Sequence, residues 1–233
     1  PGVTDALQNS DADWFVVQGY AGLTSQKAMR WLTRNQKNWI FWGERPGMNR
    51  RRGLAKWLRS RAMKPLKSGP KGIAAIGSQA VAAYRELTSS ETQIANIPYH
   101  CDLQPFQDAA EQTVRRDSSQ SCRILYCGQL IERKGLRTLF EAVRGLHCDF
   151  PQLRLQLVGT GPLEEEFKES LSPELREIVE FTGFQSPERL PDYFANADLF
   201  VLPSLHDGWG VVVNQALAAG LPLICSDQVG AGF

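Results

Sequence analysis

The chain of 233 residues lacks the features that would place it in a membrane or outside the cell. It has no run of eighteen apolar residues, so no transmembrane helix is expected. Its first residues, PGVTDALQNSDAD, have neither the basic start nor the apolar core of a signal peptide. Because the first residue is Pro rather than Met, we expect a fragment of a longer protein. The use of cysteine, described next, leads us to expect a cytoplasmic protein.

Cysteine is scarce, and the formal net charge is only +1. The cysteines are odd in number, lack the paired spacing of metal ligands and fall partly in predicted strands. We therefore expect reduced core residues. The five are Cys101, Cys122, Cys127, Cys148 and Cys225. A hydrophobic content of 42% is enough for one large domain or two small ones.

The most informative segment is FVLPSLHDGWGVVVNQALAAGLPLICSD, residues 200–227. Its pattern predicts a buried strand, a tight polar loop, a helix and a second strand, which is one turn of a parallel α/β sheet. Two glycines, Gly208 and Gly210, stand just before the helix, where the backbone turns sharply or approaches a ligand. A helix that starts at the carboxyl end of a strand offers its N-terminus to an anion.

This segment resembles the donor-site signature of retaining glycosyltransferases of family 4. The matching residues are Asp207-Gly-Trp-Gly followed by Gln215-Ala-Leu-Ala-Ala-Gly-Leu-Pro. The family has an acidic residue at both ends of this signature, and here the two positions are Asp207 and Gln215. Asp keeps the usual charge on a shorter side chain, whereas Gln keeps the hydrogen bonding and loses the charge.

A second match lies in ILYCGQLIERKGLRTLFEAV, residues 124–143. It resembles the phosphate-binding element of the family, a Gly-Arg pair followed by Lys-Gly. Gly128, Lys134 and Gly135 fit this pattern, Gln129 stands where Arg is usual, and Arg133 is the candidate to replace that Arg.

Two further segments complete an ordered set of four motifs over about residues 122–230. LRLQLVGTGPLEEEF resembles the strand and Gly-x-Gly-Pro turn of the family and contains Gly159 and Gly161. VEFTGFQSPERLPDYFANADLFVLPS resembles the strand and helix that precede the signature. One glycine turn alone is a weak signal, but four motifs in the family's order are a specific one.

The resemblance implies an α/β protein with the GT-B fold, in which two Rossmann-like domains with parallel sheets face a cleft. Residues 1–103 are the expected N-terminal acceptor-side domain, 104–121 the linker, and 122–233 the nucleotide-sugar-binding domain. Strand-helix alternation in the first hundred residues independently predicts a parallel sheet there. On this comparison both domains are incomplete.

The implied activity is transfer of a sugar from a nucleotide sugar to a glycan or lipid-linked acceptor, with retention of configuration, in cell-envelope polysaccharide biosynthesis. Asp207 and Lys134 are the expected catalytic residues. No cofactor and no metal are expected, since the motifs of residues 122–230 contain no Asp-x-Asp pair of the kind that holds a divalent ion. The expected donor-binding residues are Gly128, Arg133, Lys134, Gly159, Gly161, His206, Asp207, Gly208, Trp209, Gly210 and Gln215.

Several alternatives stay open. Because Gln129 and Gln215 depart from the family, the chain is alternatively a donor-binding pseudoenzyme or an inactive fragment, and nucleotide-sugar epimerases share the fold. Trp209 is either a packing residue or a platform for the base. His206 is either a donor ligand or a surface residue.

Residues 45–71 hold ten basic side chains and no acidic one. Leu54, Trp57, Leu58, Ala62 and Leu66 recur among them at near-helical spacing, which predicts an apolar stripe with basic flanks. One interpretation is a helix that covers the sheet. Another is contact of Arg50–Lys67 with an anionic membrane on its cytoplasmic face. Nucleic acid is not an expected partner, because no nucleic-acid motif accompanies the charges.

Overall fold

The computed structural model describes residues 2–46, 54–113 and 121–232. They form two compact units, one that extends to Tyr99 and one over His100–Gly232. No helix within these ranges is long and apolar enough to cross a membrane.

The first unit is a parallel sheet of four strands, as the alternation of strands and helices predicts. The strands lie in the order β1-β2-β3-β4. Buried aromatic and aliphatic side chains join the sheet to its helices, among them Trp39 and Phe41 from the sheet and Leu32 and Tyr84 from the helices. In chain order the elements are α1 (Val3–Gln8), β1 (Trp14–Gln18), α2 (Leu23–Arg34), β2 (Asn38–Glu44), α3 (Leu54–Met63), β3 (Gly72–Ile76), α4 (Ser78–Leu87) and β4 (Gln93–Asn96).

The predicted basic helix is α3 followed by a 3-10 turn over Lys64–Lys67. The start of this prediction, Arg50, lies outside the described residues. The predicted apolar stripe is wrong in part, because Trp57 and Leu58 are 56% and 52% exposed. Leu66 of the turn is fully buried in the core of the first unit, and Met63 at the end of α3 is 6% exposed. The end of this segment is therefore buried, while Trp57 and Leu58 in the middle of α3 are not.

The second unit is a parallel sheet of five strands in the order β7-β6-β5-β8-β9. The strands are β5 (Cys122–Cys127), β6 (Leu153–Val158), β7 (Val179–Gly183), β8 (Leu199–Leu202) and β9 (Leu223–Cys225). The helices are α5 (Gln104–Gln112), α6 (Leu136–His147), α7 (Glu164–Ser170), α8 (Pro173–Ile178), α9 (Leu190–Ala195) and α10 (Val211–Ala218). The central strands β5, β6 and β8 are mostly buried, which accounts for their continuous apolar runs.

The boundary between the two units differs from the predicted linker 104–121. Residues 104–112 are helix α5, and its Phe106 packs edge-to-face on Phe194 at 5.2 Å between ring centroids. Phe194 in turn stacks on Phe200 of β8. The first part of the predicted linker therefore belongs to the core of the second unit, while residues 114–120 lie outside the described residues.

The cysteines are all free, as predicted, but they are not all core residues. Cys127 at the end of β5 is buried, whereas Cys148 is exposed and the other three are partly exposed. Burial raises the pKa of the Cys127 thiol to about 12, although Lys134 acts in the opposite direction. Cys127 therefore stays protonated and packs as an apolar residue.

Candidate functional site

The candidate site lies at the carboxyl ends of β5, β6 and β8. The sheet order reverses between β5 and β8, because β6 and β7 extend to one side of β5 while β8 and β9 extend to the other. In open α/β sheets such a switch point leaves a crevice in which ligands bind. All the predicted donor-binding residues lie in the loops that follow these three strands, except Gln215, which lies in the middle of α10.

The loops after β5 and β8 are fastened to each other by backbone contacts. Leu205 N–H donates to Arg133 O at 2.8 Å, and Arg133 Nη1 donates to His206 O at 2.6 Å. Gly135 has the left-handed φ of +70°, and a Cβ there would lie 2.1 Å from Pro203 O. Glycine is needed at position 135 both for its φ and for this close approach.

The side chains of the two predicted catalytic residues meet across this junction. Lys134 Nζ lies 2.5 Å from Asp207 Oδ2, and the two side chains are only 11% and 13% exposed. The residues are 73 positions apart in the sequence. This ion pair places one cation and one carboxylate at the crevice, both largely shielded from water.

The loops after β5 and β6 also meet at glycines. A Cβ on Gly159 would lie 2.0 Å from Gly128 O, and one on Gly161 would lie 2.3 Å from Leu130 O. Leu130 N–H donates to Thr160 O at 3.0 Å. The predicted glycines are thus brought together, and the close approach of two backbones explains why side chains are missing there.

The loop after β8 turns into α10 through Gly210, which has a φ of +82°. The first amides of a helix generally have no partner within it and can bind an anion. In α10, Val213 N–H donates to Gly210 O at 2.9 Å, so the amides of Val211 and Val212 are the candidates. On α10 the Oε1 atom of Gln215 is buried and has no hydrogen-bond partner, and the same holds for Oδ1 of Asn214. A buried acceptor without a partner is costly unless a ligand supplies a donor.

Trp209 is only 9% exposed, which agrees with a packing residue. Its Nε1 atom is buried and without a hydrogen-bond partner. His206 is partly buried, and its carbonyl accepts from Arg133. Arg133 itself is exposed, so the structure places it beside the pair without burying its charge.

Sequence reasoning missed two contributions to the site. The segment after β9 returns to the loop, where Asp207 N–H donates to Gln228 O and Gly230 N–H donates to Asp207 O. A Cβ on Gly230 would lie 2.3 Å from Gly208 O. Gly230, the first glycine of QVGAG, was therefore the signal in the sequence for this close approach. Tyr126 is also part of the floor, because its hydroxyl donates to Gln129 O at 2.8 Å. Burial above all raises the pKa of Tyr126, so the hydroxyl remains a donor.

The described residues contain no group of three or more His, Cys, Asp or Glu side chains placed to hold a metal ion. The chain does have one Asp-x-Asp triplet, Asp11-Ala-Asp13, but it is exposed and precedes β1 of the first unit. It therefore lies outside the unit that carries the candidate site.

An open parallel sheet with glycine loops and a helix N-terminus at its switch point is the architecture of the Rossmann-like class, in which ligands bind at this point. Residues 121–232 match the protein family described as glycosyl transferases group 1. The match covers most of the second unit and a little under half of the chain, so the second unit is similar to a glycosyltransferase domain of this family.

Among curated proteins, the chain is 34% identical over 118 residues to the amylovoran biosynthesis glycosyltransferase AmsK of Erwinia amylovora. This match covers 48% of the chain and 29% of AmsK, so the chain spans less than a third of that relative.

Solved structures cover nearly the whole chain and establish its GT-B fold. Sucrose-phosphate synthase from Thermosynechococcus elongatus aligns with a TM-score of 0.75 at 23% identity, over 97% of this chain and 60% of that one. Anabaena HepE, solved in complex with UDP and glucose, aligns with a TM-score of 0.71 at 17% identity, over 99% and 63%.

Replacing Gly135 by Ala should destabilise the protein. A left-handed backbone costs a non-glycine residue about 1–2 kcal/mol, and the new Cβ would also collide with Pro203 O. Thermal unfolding would show a lower melting temperature. Gly145→Ala in α6 is the matched control, because a Cβ there meets nothing within 4 Å and alanine favours a helix. Equal melting temperatures for the two variants would contradict the tight junction at Gly135.

Proposed function

We propose that the protein is a retaining glycosyltransferase of family 4 that transfers a sugar from a nucleotide sugar to a glycan or lipid-linked acceptor. The observation that carries this proposal is the shielded contact of Lys134 with Asp207 at the switch point of the second unit. The glycines on either side let the loops pack closely on each other, and this packing supports the site of the ion pair. The relative AmsK, a glycosyltransferase of amylovoran biosynthesis, favours a role in polysaccharide biosynthesis.

In this proposal the positive groups of the site stabilise the leaving group. As the bond between sugar and diphosphate breaks, negative charge develops on the phosphate oxygens, and fixed cations and amides offset it. Lys134 would donate a charge-assisted hydrogen bond to these oxygens, with Arg133 at the rim and the first amides of α10 beside it. The diphosphate would then replace the Asp207 carboxylate as the partner of Lys134.

The two signature positions would hold the sugar and the ribose. Release from Lys134 would leave Asp207 free to accept from hydroxyls of the transferred sugar. Gln215 begins the second half of α10, and its unpartnered Oε1 would accept a ribose hydroxyl. Because HepE was solved with UDP, UDP-sugars are the first donors to test.

The second candidate function is a donor-binding pseudoenzyme. Gln215 lacks the usual charge and Gln129 lacks the usual guanidinium, which favours binding without turnover. An epimerase on the same fold is a further alternative.

One experiment separates these functions. The protein is incubated with UDP-, GDP- and ADP-sugars, with and without glycan and lipid-linked acceptors, and binding, donor hydrolysis and transfer are measured together. Transfer with a retained anomer supports the proposal. Binding without turnover identifies the pseudoenzyme, and an altered sugar on an intact nucleotide identifies an epimerase.

Turnover should not require a divalent ion, because Lys134 and the amides of α10 supply the positive charge in this proposal. EDTA should therefore leave the rate of sugar transfer unchanged within about twofold. If a metal ion took part, its removal would cost several kcal/mol of transition-state stabilisation. A rate that falls in EDTA and returns with magnesium or manganese would overturn this expectation.

We also propose a cytoplasmic location with contact between Arg50–Lys67 and the inner face of the cell membrane. Exposed Trp57 and Leu58 support it, since they lie among basic residues on α3. Each basic residue near an anionic surface contributes about 1 kcal/mol. The protein should sediment with phosphatidylglycerol vesicles but not with phosphatidylcholine vesicles, and less so at high salt. Equal binding to both would leave only the packing role of this segment.

A further inference from the structure

The charge of this chain is distributed very unevenly. Residues 14–85 contain 15 Lys and Arg side chains and a single acidic one, Glu44. The rest of the chain holds 11 basic and 24 acidic residues, so the net charge of +1 conceals a basic segment and an acidic remainder. A strongly positive first unit attracts anions and raises their concentration near its surface.

Part of this charge converges on one groove of the first unit, which we call the basic groove. Its volume is about 410 Å³, within the range of roughly 300–1,000 Å³ that is typical of ligand sites. Two basic residues of α2 and two of the α3 segment line it, together with two hydroxyl side chains. These six residues are Arg30, Arg34, Arg61, Lys64, Thr33 and Ser68.

The basic groove lies at the amino edge of the sheet. Arg34 is the last residue of α2, and β2 begins four residues later. On the other wall, a Cβ on Gly69 would lie 2.7 Å from the ring of Trp39, the second residue of β2. The groove is therefore at the end of the sheet opposite to the carboxyl edge, where α/β proteins usually bind their substrates.

A buried side chain holds the two walls of the groove together. Gln26 is 7% exposed, and its Nε2 donates both to Tyr20 O at 2.6 Å and to Ala62 O at 2.7 Å. Its Oε1 accepts from Arg30 at 3.3 Å. Gln26 thus ties α2 to α3 and orients a guanidinium of the groove.

The four basic residues of the groove have no acidic partner within 2–46, 54–113 and 121–232, the part of the chain that the structure describes. Glu44, the one acidic residue between positions 14 and 85, ends β2, about 20 Å along the strand from its start. Asp13 precedes β1 at the same edge of the sheet as the groove, and no salt bridge among the described residues joins it to the groove. Arg30 and Arg34 are one helical turn apart, where like charges repel each other. An anionic ligand would relieve this repulsion.

We propose that the basic groove is a binding site for a phosphoryl group, presented by a soluble phosphate compound or by a phospholipid headgroup. Three guanidinium forks suit phosphate oxygens, with which Arg forms paired hydrogen bonds. The hydroxyl of Ser68 adds a further donor. The small size of the groove suits a compact head better than a nucleic-acid strand, which needs a row of aromatic platforms.

The test follows inorganic phosphate into the groove by two-dimensional NMR of the labelled protein. We expect saturable shifts at the amides of Thr33, Arg34 and Ser68, which are separate from any shifts at the donor site around Lys134. The variant Arg30→Gln/Arg61→Gln should weaken this binding by about tenfold or more, because it removes two charge-assisted contacts. The control Lys27→Gln/Arg85→Gln removes two exposed charges of the same unit that lie outside the groove.

A second arm distinguishes the sources of the phosphate. Both variants are sedimented with phosphatidylcholine vesicles that contain or lack phosphatidylglycerol. If Arg30→Gln/Arg61→Gln reduces binding to the anionic vesicles and the control variant does not, the groove binds a lipid headgroup. Loss confined to inorganic phosphate assigns it to a soluble compound.

Three results would overturn the proposal. The first is that neither phosphate nor anionic vesicles perturb the groove. The second is that both double variants weaken binding equally, because this indicates diffuse attraction without a site. The third is a single-stranded oligonucleotide that binds more tightly than either probe and displaces phosphate, which indicates a nucleic-acid surface. Circular dichroism of each variant verifies that the fold is intact.

Discussion

Lys134→Ala should lower the affinity for a nucleotide diphosphate by at least about tenfold, because a charge-assisted hydrogen bond contributes about 1.5–3 kcal/mol. Lys134 is held at the switch point by the junction of two loops and is 11% exposed, so solvent weakens its interactions little. Isothermal titration of the protein with UDP and with UDP-sugars measures the loss.

The matched control is Lys168→Ala. Lys168 is another lysine of the second unit, but its side chain is 39% exposed and its ion pairs with Glu164 and Glu165 are more accessible to water, so they contribute less. Because removal of Lys134 leaves Asp207 shielded and unpaired, the double variant Lys134→Ala/Asp207→Asn separates a damaged site from a lost contact. If Lys134→Ala binds the donor as tightly as Lys168→Ala does, the donor site lies elsewhere.

The sequence predicted the elements of the site because its motifs encode backbone geometry. Gly135 and Gly159 stand where φ is positive and another backbone approaches within the reach of a Cβ. Because such positions exclude side chains, the need for glycine there is visible in the sequence. Lys134 and Asp207 follow β5 and β8, which are neighbours in a parallel sheet, so the sequence predicts that they lie at the same edge. It does not predict their direct contact.

The features that the sequence did not predict depend on packing between distant segments. The α5 helix looked like a linker because its residues are polar, yet one side chain, Phe106, secures it to the second unit. Trp57 looked like a core residue because of its spacing, yet the 3-10 turn buries Leu66 instead and leaves Trp57 outside, beside Arg61. Gln26 gave no signal at all, because its role depends on two carbonyls that the fold brings to it.

Asp207→Asn should reduce the rate of sugar transfer by about a hundredfold, the size of effect that follows the loss of one positioned polar group at a reacting centre. Donor binding should change far less. The substitution removes the carboxylate that occupies Lys134 in the free site, so Lys134 becomes more available to the diphosphate. Single-turnover transfer and donor titration, measured on the same preparation, give the two quantities.

Substitution of Gln215 should change donor binding more than sugar transfer, because the proposed partner of Gln215 is the ribose and not the transferred sugar. Gln215→Ala should weaken donor binding by roughly two- to tenfold, the range for neutral hydrogen bonds. Gln215→Glu should tighten donor binding, since a carboxylate accepts more strongly from a hydroxyl and Lys134 offsets its charge. Gln107→Ala on the exposed side of α5 is the control. Transfer that survives both Asp207→Asn and Gln215→Ala unchanged would remove the donor site from this loop, and with it the assignment of family 4.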